Sequence, residues 1–129
     1  MERAQVDRFI RALHRLESDG ELEEIVSLFA PDAELRNPVV PHPLHGEEGA
    51  REFWDTYRRT FREVHSDFRK VAESDDTAIL EWTSRGLTAQ GREFRYDGVS
   101  VVEFADGRVR SFRAYFDPGG LAEEMAGRH

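Results

Sequence analysis

The sequence predicts one α+β domain spanning residues 1–129. Three observations predict it. The first half repeats its apolar residues at helical spacing. The second half alternates them with period two. Asp106-Gly107 lies between two alternating runs and is a strong hairpin signal. Helices followed by antiparallel strands make a pattern in which helices cover one face of a curved sheet.

The elements follow in order. Val6, Phe9, Ile10, Leu13 and Leu16 form one stripe of an amphipathic helix over residues 2–18, closed by Ser18-Asp19-Gly20. A shorter helix carries Leu22, Ile25, Val26 and Phe29 on one face, and Pro31 stops it. Ala33 to Asn37 is extended. The next nine residues, Pro38 to Gly46, hold three prolines and form a loop. A third helix presents Ala50, Phe53, Trp54, Tyr57 and Phe61. The period changes after Val64, and strands are expected over 76–88, 93–104 and 108–117.

Composition narrows the function. At 39% hydrophobic residues, with nine Phe and two Trp, the chain can build a core. The absence of Cys excludes disulfides, thiolate ligands and a cysteine nucleophile. A net charge of −8 argues against nucleic-acid binding. Lys70 is the only lysine and sits among charged neighbours, so Schiff-base chemistry is set aside. No apolar run reaches membrane-spanning length, and Met1 to Gln5 lacks the apolar segment of a signal peptide. No membrane association and a cytoplasmic location are the expectations.

An unbroken register from the Asp106-Gly107 turn pairs Ala105 with Arg108, Val102 with Ser111, Ser100 with Arg113, Gly98 with Tyr115 and Tyr96 with Asp117. One face then gathers Tyr96, Ser100, Arg113, Tyr115 and Asp117 beside apolar neighbours, the make-up of a small-molecule pocket. The other holds Val99, Val101, Phe112, Ala114 and Phe116. An apolar second face predicts a homodimer, unless Leu121 to Met125 covers it.

Several strings carry a family resemblance. They are Gly20 to Ala33, His45-Gly46 leading to Phe53-Trp54, Phe104 to Val109, and Arg113-Ala114-Tyr115-Phe116-Asp117. The chain resembles the nuclear-transport-factor-2-like superfamily, and within it the SnoaL-like branch that includes polyketide cyclases. The resemblance implies a cone-shaped fold, with N-terminal helices packed on a curved, mainly antiparallel sheet around one pocket. It is specific for fold and less so for chemistry. In the ketosteroid isomerase branch the base position falls on Asn37, and the oxyanion donors fall near Leu13 and on Ser100. Asn37 and Leu13 cannot serve those roles. The epoxide-hydrolase-like branch keeps Asn37 and Asp117, but its other positions fall on Leu35 and on or near Trp82 and Ser84. The SnoaL-like branch keeps its acid/base residue, as Asp117.

The resemblance therefore implies a cofactor-independent enzyme. It would do proton-transfer chemistry of the cyclase or isomerase type on a small, mostly apolar carbonyl compound. Asp117 would be the catalytic acid/base. Asn37, Tyr96, Ser100 and Arg113 would orient the substrate. Trp54, Tyr57 and Trp82 would line the pocket, with His42 and His45 near its mouth. Other roles stay open. Asp117-Pro118 reads equally as a helix N-cap, Asn37 as a turn residue, His45 as the start of the third helix, and Arg113 as a partner of Asp117. His42 and His45 lack a third ligand, so no metal is expected. The alternatives to an enzyme are a non-catalytic module binding a small hydrophobic ligand, and a structural dimeric partner protein.

Overall fold

The computed structural model describes residues 3–117 and 119. The elements are α1 (Arg3–Asp19), α2 (Leu22–Ser27), β1 (Phe29–Arg36), β2 (Leu44–His45), α3 (Gly46–Thr60), β3 (Phe61–Ser74), β4 (Thr77–Thr88), β5 (Glu93–Ala105) and β6 (Arg108–Phe116). The strands form one mixed six-stranded sheet in the order β2-β1-β6-β5-β4-β3. Only β1 and β6 run parallel within it. The helices pack against the curved sheet, as the α+β reading requires. No helix among the described residues is long and apolar enough to cross a membrane.

The stripe of α1 buries Val6, Phe9, Leu13 and Leu16, together with Glu17. Gly20 ends the helix at φ 72°, where its N–H meets the Leu16 carbonyl at 3.0 Å. A residue with a Cβ is strained there, which is why glycine serves. Trp54 of α3 joins Phe9, Phe53 and Phe112 through edge-to-face ring contacts, with centroids 4.9–6.1 Å apart. Rings of this kind each contribute roughly 1.5–3 kcal/mol by burial.

Three local expectations need correction. Phe29 opens β1 instead of closing the second helix, and β1 runs through Pro31, where its pairing with β6 is interrupted between Phe29 and Glu34. The irregularity spares Pro31 a ladder hydrogen bond that it cannot donate. The proline-rich loop ends in the short strand β2. Phe61 is extended, at φ −121° and ψ 148°, and begins a 14-residue strand. Its four-residue spacing from Tyr57 survives as a ring contact at 5.8 Å across the helix end.

The hairpin register departs from expectation in the way that matters most. The turn is as predicted, with Asp106 at φ 52°, Gly107 at φ 79° and Ala105 facing Arg108. A β-bulge follows at once. Phe104 pairs with Val109, but Glu103 pairs with Ser111, leaving Arg110 extra. Every later residue of β6 is thereby turned over. Ser100 faces Ala114, Val102 faces Phe112, and Gly98 faces Phe116. Phe112 and Ala114 point into the core, and Arg113 and Tyr115 point out. The outer face keeps Ile79, Val99, Val101 and Tyr115 as its apolar residues, joined by a charged cluster. There Glu103 accepts from Arg113 at 2.6 Å and from Arg110 at 2.7 Å. Leu121 to Met125, the expected alternative cover, lies outside the described residues.

Candidate functional site

Between the helices and the concave sheet lies a cavity of about 410 Å³. Its back wall comes from α1 and α3, through Phe9, Leu13, Trp54 and Tyr57. Its floor comes from the strands, through Ser66, Trp82, Ser84, Tyr96 and Ser100, and from Phe112, Ala114 and Phe116 of β6. Asn37 and the segment Val39–His42 stand at the mouth. The bulge puts the three β6 residues here; an unbroken ladder would have supplied Arg113 and Tyr115.

Trp82 depends on a glycine. It faces Gly98 across the β4–β5 ladder, and a Cβ on Gly98 would collide with the indole ring. The bare backbone lets the ring lie across β5. There Nε1–H donates to Ser100 Oγ at 2.9 Å. Tyr96 packs edge-on to both Trp82 (5.3 Å) and Phe116 (5.4 Å).

Behind the cavity wall, against Tyr57 and Ser66, is a group that sequence reasoning missed. Glu17 is 3% exposed. Its carboxylate accepts three hydrogen bonds: from Ser66 N–H (2.9 Å), from Ser66 Oγ (2.6 Å) and from the Tyr57 phenol (2.7 Å). Three donors are what an ionised carboxylate needs when buried. Ser66 Oγ lies 2.7 Å from Ser84 Oγ, and Ser84 faces Tyr96 across the β4–β5 ladder. Since Ser66 gives its proton to Glu17, Ser84 donates to Ser66. Of the two phenols of the cavity wall, Tyr57 is thus bonded directly to the carboxylate, and Tyr96 stands across the ladder from the far end of the serine pair. Both phenols titrate above the ordinary range, first because they are buried and next because of the Glu17 charge. A signal was present, since Glu17 follows Leu13 by four and falls on the apolar stripe. Ser66 sits on a strand that the sequence did not delimit.

Six of the nine expected site residues line the cavity: Asn37, Trp54, Tyr57, Trp82, Tyr96 and Ser100. Asn37 Oδ1 also accepts the N–H groups of Val39 and Val40, at 2.9 and 3.1 Å, so it holds the mouth loop. Trp54 Nε1–H is buried and has no partner among the described residues. The other three lie elsewhere. Arg113 is on the outer face with Glu103, because the bulge reverses it. His45 is exposed and stands 3.5 Å from Glu34, at the start of α3. Asp117 is exposed, does not line the cavity, and accepts the Gly119 N–H at 3.0 Å. Gly119 is helical, so this is the bond an N-cap side chain makes to the second helical residue, in agreement with the capping alternative. Pro118, the expected first helical residue, lies outside the described residues.

His14, Glu17 and His65 bring one potential metal-ligand atom each within 4.8 Å of one another. The set does not fit an ion. The two imidazoles stack, with centroids 5.0 Å apart and planes 19° apart, so their in-plane lone pairs do not converge. His14 Nε2 is 2.8 Å from the Ser66 carbonyl, and Glu17 is occupied by its three donors.

Similarities to known proteins agree with this architecture. The steroid Δ-isomerase of Nocardioides simplex is 27% identical over 121 residues, covering 92% of each chain. TerC, crystallised with polyporic acid, superposes with a TM-score of 0.81 at 20% identity, over 95% of this chain and 98% of the other. A nuclear-transport-factor-2-like protein of unknown function from Burkholderia pseudomallei gives a TM-score of 0.85 at 21% identity, over 97% and 98%. The SnoaL-like domain model matches residues 6–112, and with the helices-then-curved-sheet architecture this makes the chain a member of the SnoaL-like family.

Proposed function

We propose that the protein is a cofactor-independent enzyme that moves a proton on a small, mostly apolar carbonyl compound, in a reaction of the isomerase or cyclase type. One observation carries this reading: the apolar cavity presents the Tyr57 phenol, which donates directly to the buried carboxylate of Glu17. The similarity to a steroid Δ-isomerase supports the reaction class. The acid/base part belongs to Glu17 through Tyr57, in place of Asp117.

In this scheme the Tyr57 oxygen takes a proton from the carbon beside the carbonyl as its own proton passes to Glu17 Oε2. The broken C–H bond leaves its electron pair in an enolate. Reversal returns the proton to the same carbon, or to a conjugated one. Atoms and electrons balance without an oxidant or reductant. The high pKa of Tyr57 keeps the phenol protonated between steps. The Trp54 indole N–H is enclosed and unpartnered among the described residues, which costs about 1–3 kcal/mol. Asn37 at the mouth and the Trp82–Ser100 pair orient the ligand. The partner on the outer sheet face is a second copy of the chain, meeting it through Ile79, Val99, Val101 and Tyr115.

The test is exchange of the α-protons of β-tetralone into D2O, followed by proton NMR. Wild type should accelerate exchange, and Tyr57→Phe should lower the rate about 100-fold or more. A bound ketone whose protons exchange no faster than in buffer would leave a binding module, the second reading.

A further inference from the structure

We infer that the cavity selects its ligand by charge: it takes compounds without a free acid group and turns away carboxylates, because Glu17 sets a negative field from behind the Tyr57–Ser66 wall. The inference rests on reading the cavity as a ligand site, and it names the class of compound that enters.

Three observations meet here. First, no Lys or Arg lines the cavity among the described residues, although the chain has 18 such residues. Apart from the imidazole of His42 at the mouth, no basic side chain lines it to pair with an incoming carboxylate. Second, the charged groups that are present have the wrong sign for an acid. Glu17 lies behind the wall and Glu52 lines the rim. Glu17 accepts three neutral donors, and no Lys or Arg forms an ion pair with it among the described residues. Its charge therefore reaches the cavity through a low-dielectric wall instead of being cancelled locally. The Tyr57 and Tyr96 phenols are pushed up first by burial and next by the Glu17 charge. Third, the floor is built of aromatic rings at steep angles, Trp82, Tyr96 and Phe116. Their faces repel anions and attract cations.

The other groups facing Glu17 are His14 and His65. Protonated, they would offset its charge, so selectivity is read at about pH 8, where imidazoles are ordinarily neutral. Burial in an apolar cavity penalises ions of either sign. The ratio of ammonium to carboxylate binding therefore isolates the sign of the field from the cost of desolvation.

The experiment uses three bicyclic compounds of one shape, β-tetralone, β-aminotetralin and β-tetralin carboxylate, titrated calorimetrically into the full-length protein. The amine should bind about tenfold or more tighter than the carboxylate. Glu17→Gln should bring that ratio toward unity, and Glu52→Gln should leave most of it in place. A wild-type ratio near one, or a ratio that collapses only in Glu52→Gln, overturns the assignment to Glu17. The wild-type ratio decides the matter even if Glu17→Gln fails to fold. If none of the three compounds binds, the ligand-site reading itself falls. If the ketone binds but the two ions do not differ, only the charge selection falls.

Discussion

At the scale of single residues, Glu17 and Glu103 show how burial decides the role of a carboxylate. Glu103 sits on the outer face, and its carboxyl is held below the usual range by Arg113 first and Arg110 second. A lowered native pKa stabilises the fold above the unfolded value of about 4.3, and that contribution is lost as pH falls through the native value. The pair is nearly a quarter exposed, so Glu103→Gln should cost only about 0.5–1 kcal/mol near neutral pH and little in acid, as urea unfolding at two pH values will report. Glu17 is enclosed and fully bonded. Tyr57→Phe removes one of its donors and should destabilise by about 1–3 kcal/mol, measurable by the same unfolding. Part of this contrast was legible in advance. Trp54, Tyr57, Trp82, Tyr96 and Ser100 could be nominated because aromatic and hydroxyl residues stood at core positions, and Asn37 through the family resemblance. Glu17 could not, because a lone acid on an amphipathic stripe reads as a boundary residue until its three donors are seen.

At the scale of elements, the β5–β6 hairpin decides what the pocket contains. The turn and its first pair were readable from Asp106-Gly107, because that dipeptide tolerates the positive φ of both turn residues. The bulge at Arg110 was not, since an extra residue has no signature of its own in an alternating run. Its effect is large: it exchanges Arg113 and Tyr115 for Phe112, Ala114 and Phe116 on the inner face. Deleting Arg110 restores an unbroken ladder and turns those three residues toward solvent. The expected outcome is loss of cooperative folding by circular dichroism; a folded deletion variant would show that the bulge is dispensable. Gly98 makes a second test at this scale. Gly98→Val forces the Trp82 ring off β5 and breaks its bond to Ser100, so ligand affinity should fall about tenfold or more. Calorimetry with β-tetralone checks this.

At the scale of the whole molecule, two faces of one sheet have separate tasks. The helices close the inner face over the cavity. The outer face carries exposed Ile79 and Tyr115 beside Val99 and Val101, and this argues for a second copy. Ile79→Glu should dissociate that dimer in sedimentation, because a charge there would be buried unpaired; a wild-type monomer at micromolar concentration would contradict it. The order of helices and strands, and with it the fold, was legible because it follows from hydrophobic period. The extent of β3 was less so, since its outward positions are mostly charged. The site depends on which of two carboxylates the cavity uses, and a direct comparison settles that. Exchange of β-tetralone α-protons into D2O should fall about 100-fold or more in Glu17→Gln and stay close to wild type in Asp117→Asn. The reverse result, exchange lost with Asp117→Asn and kept with Glu17→Gln, would contradict the account.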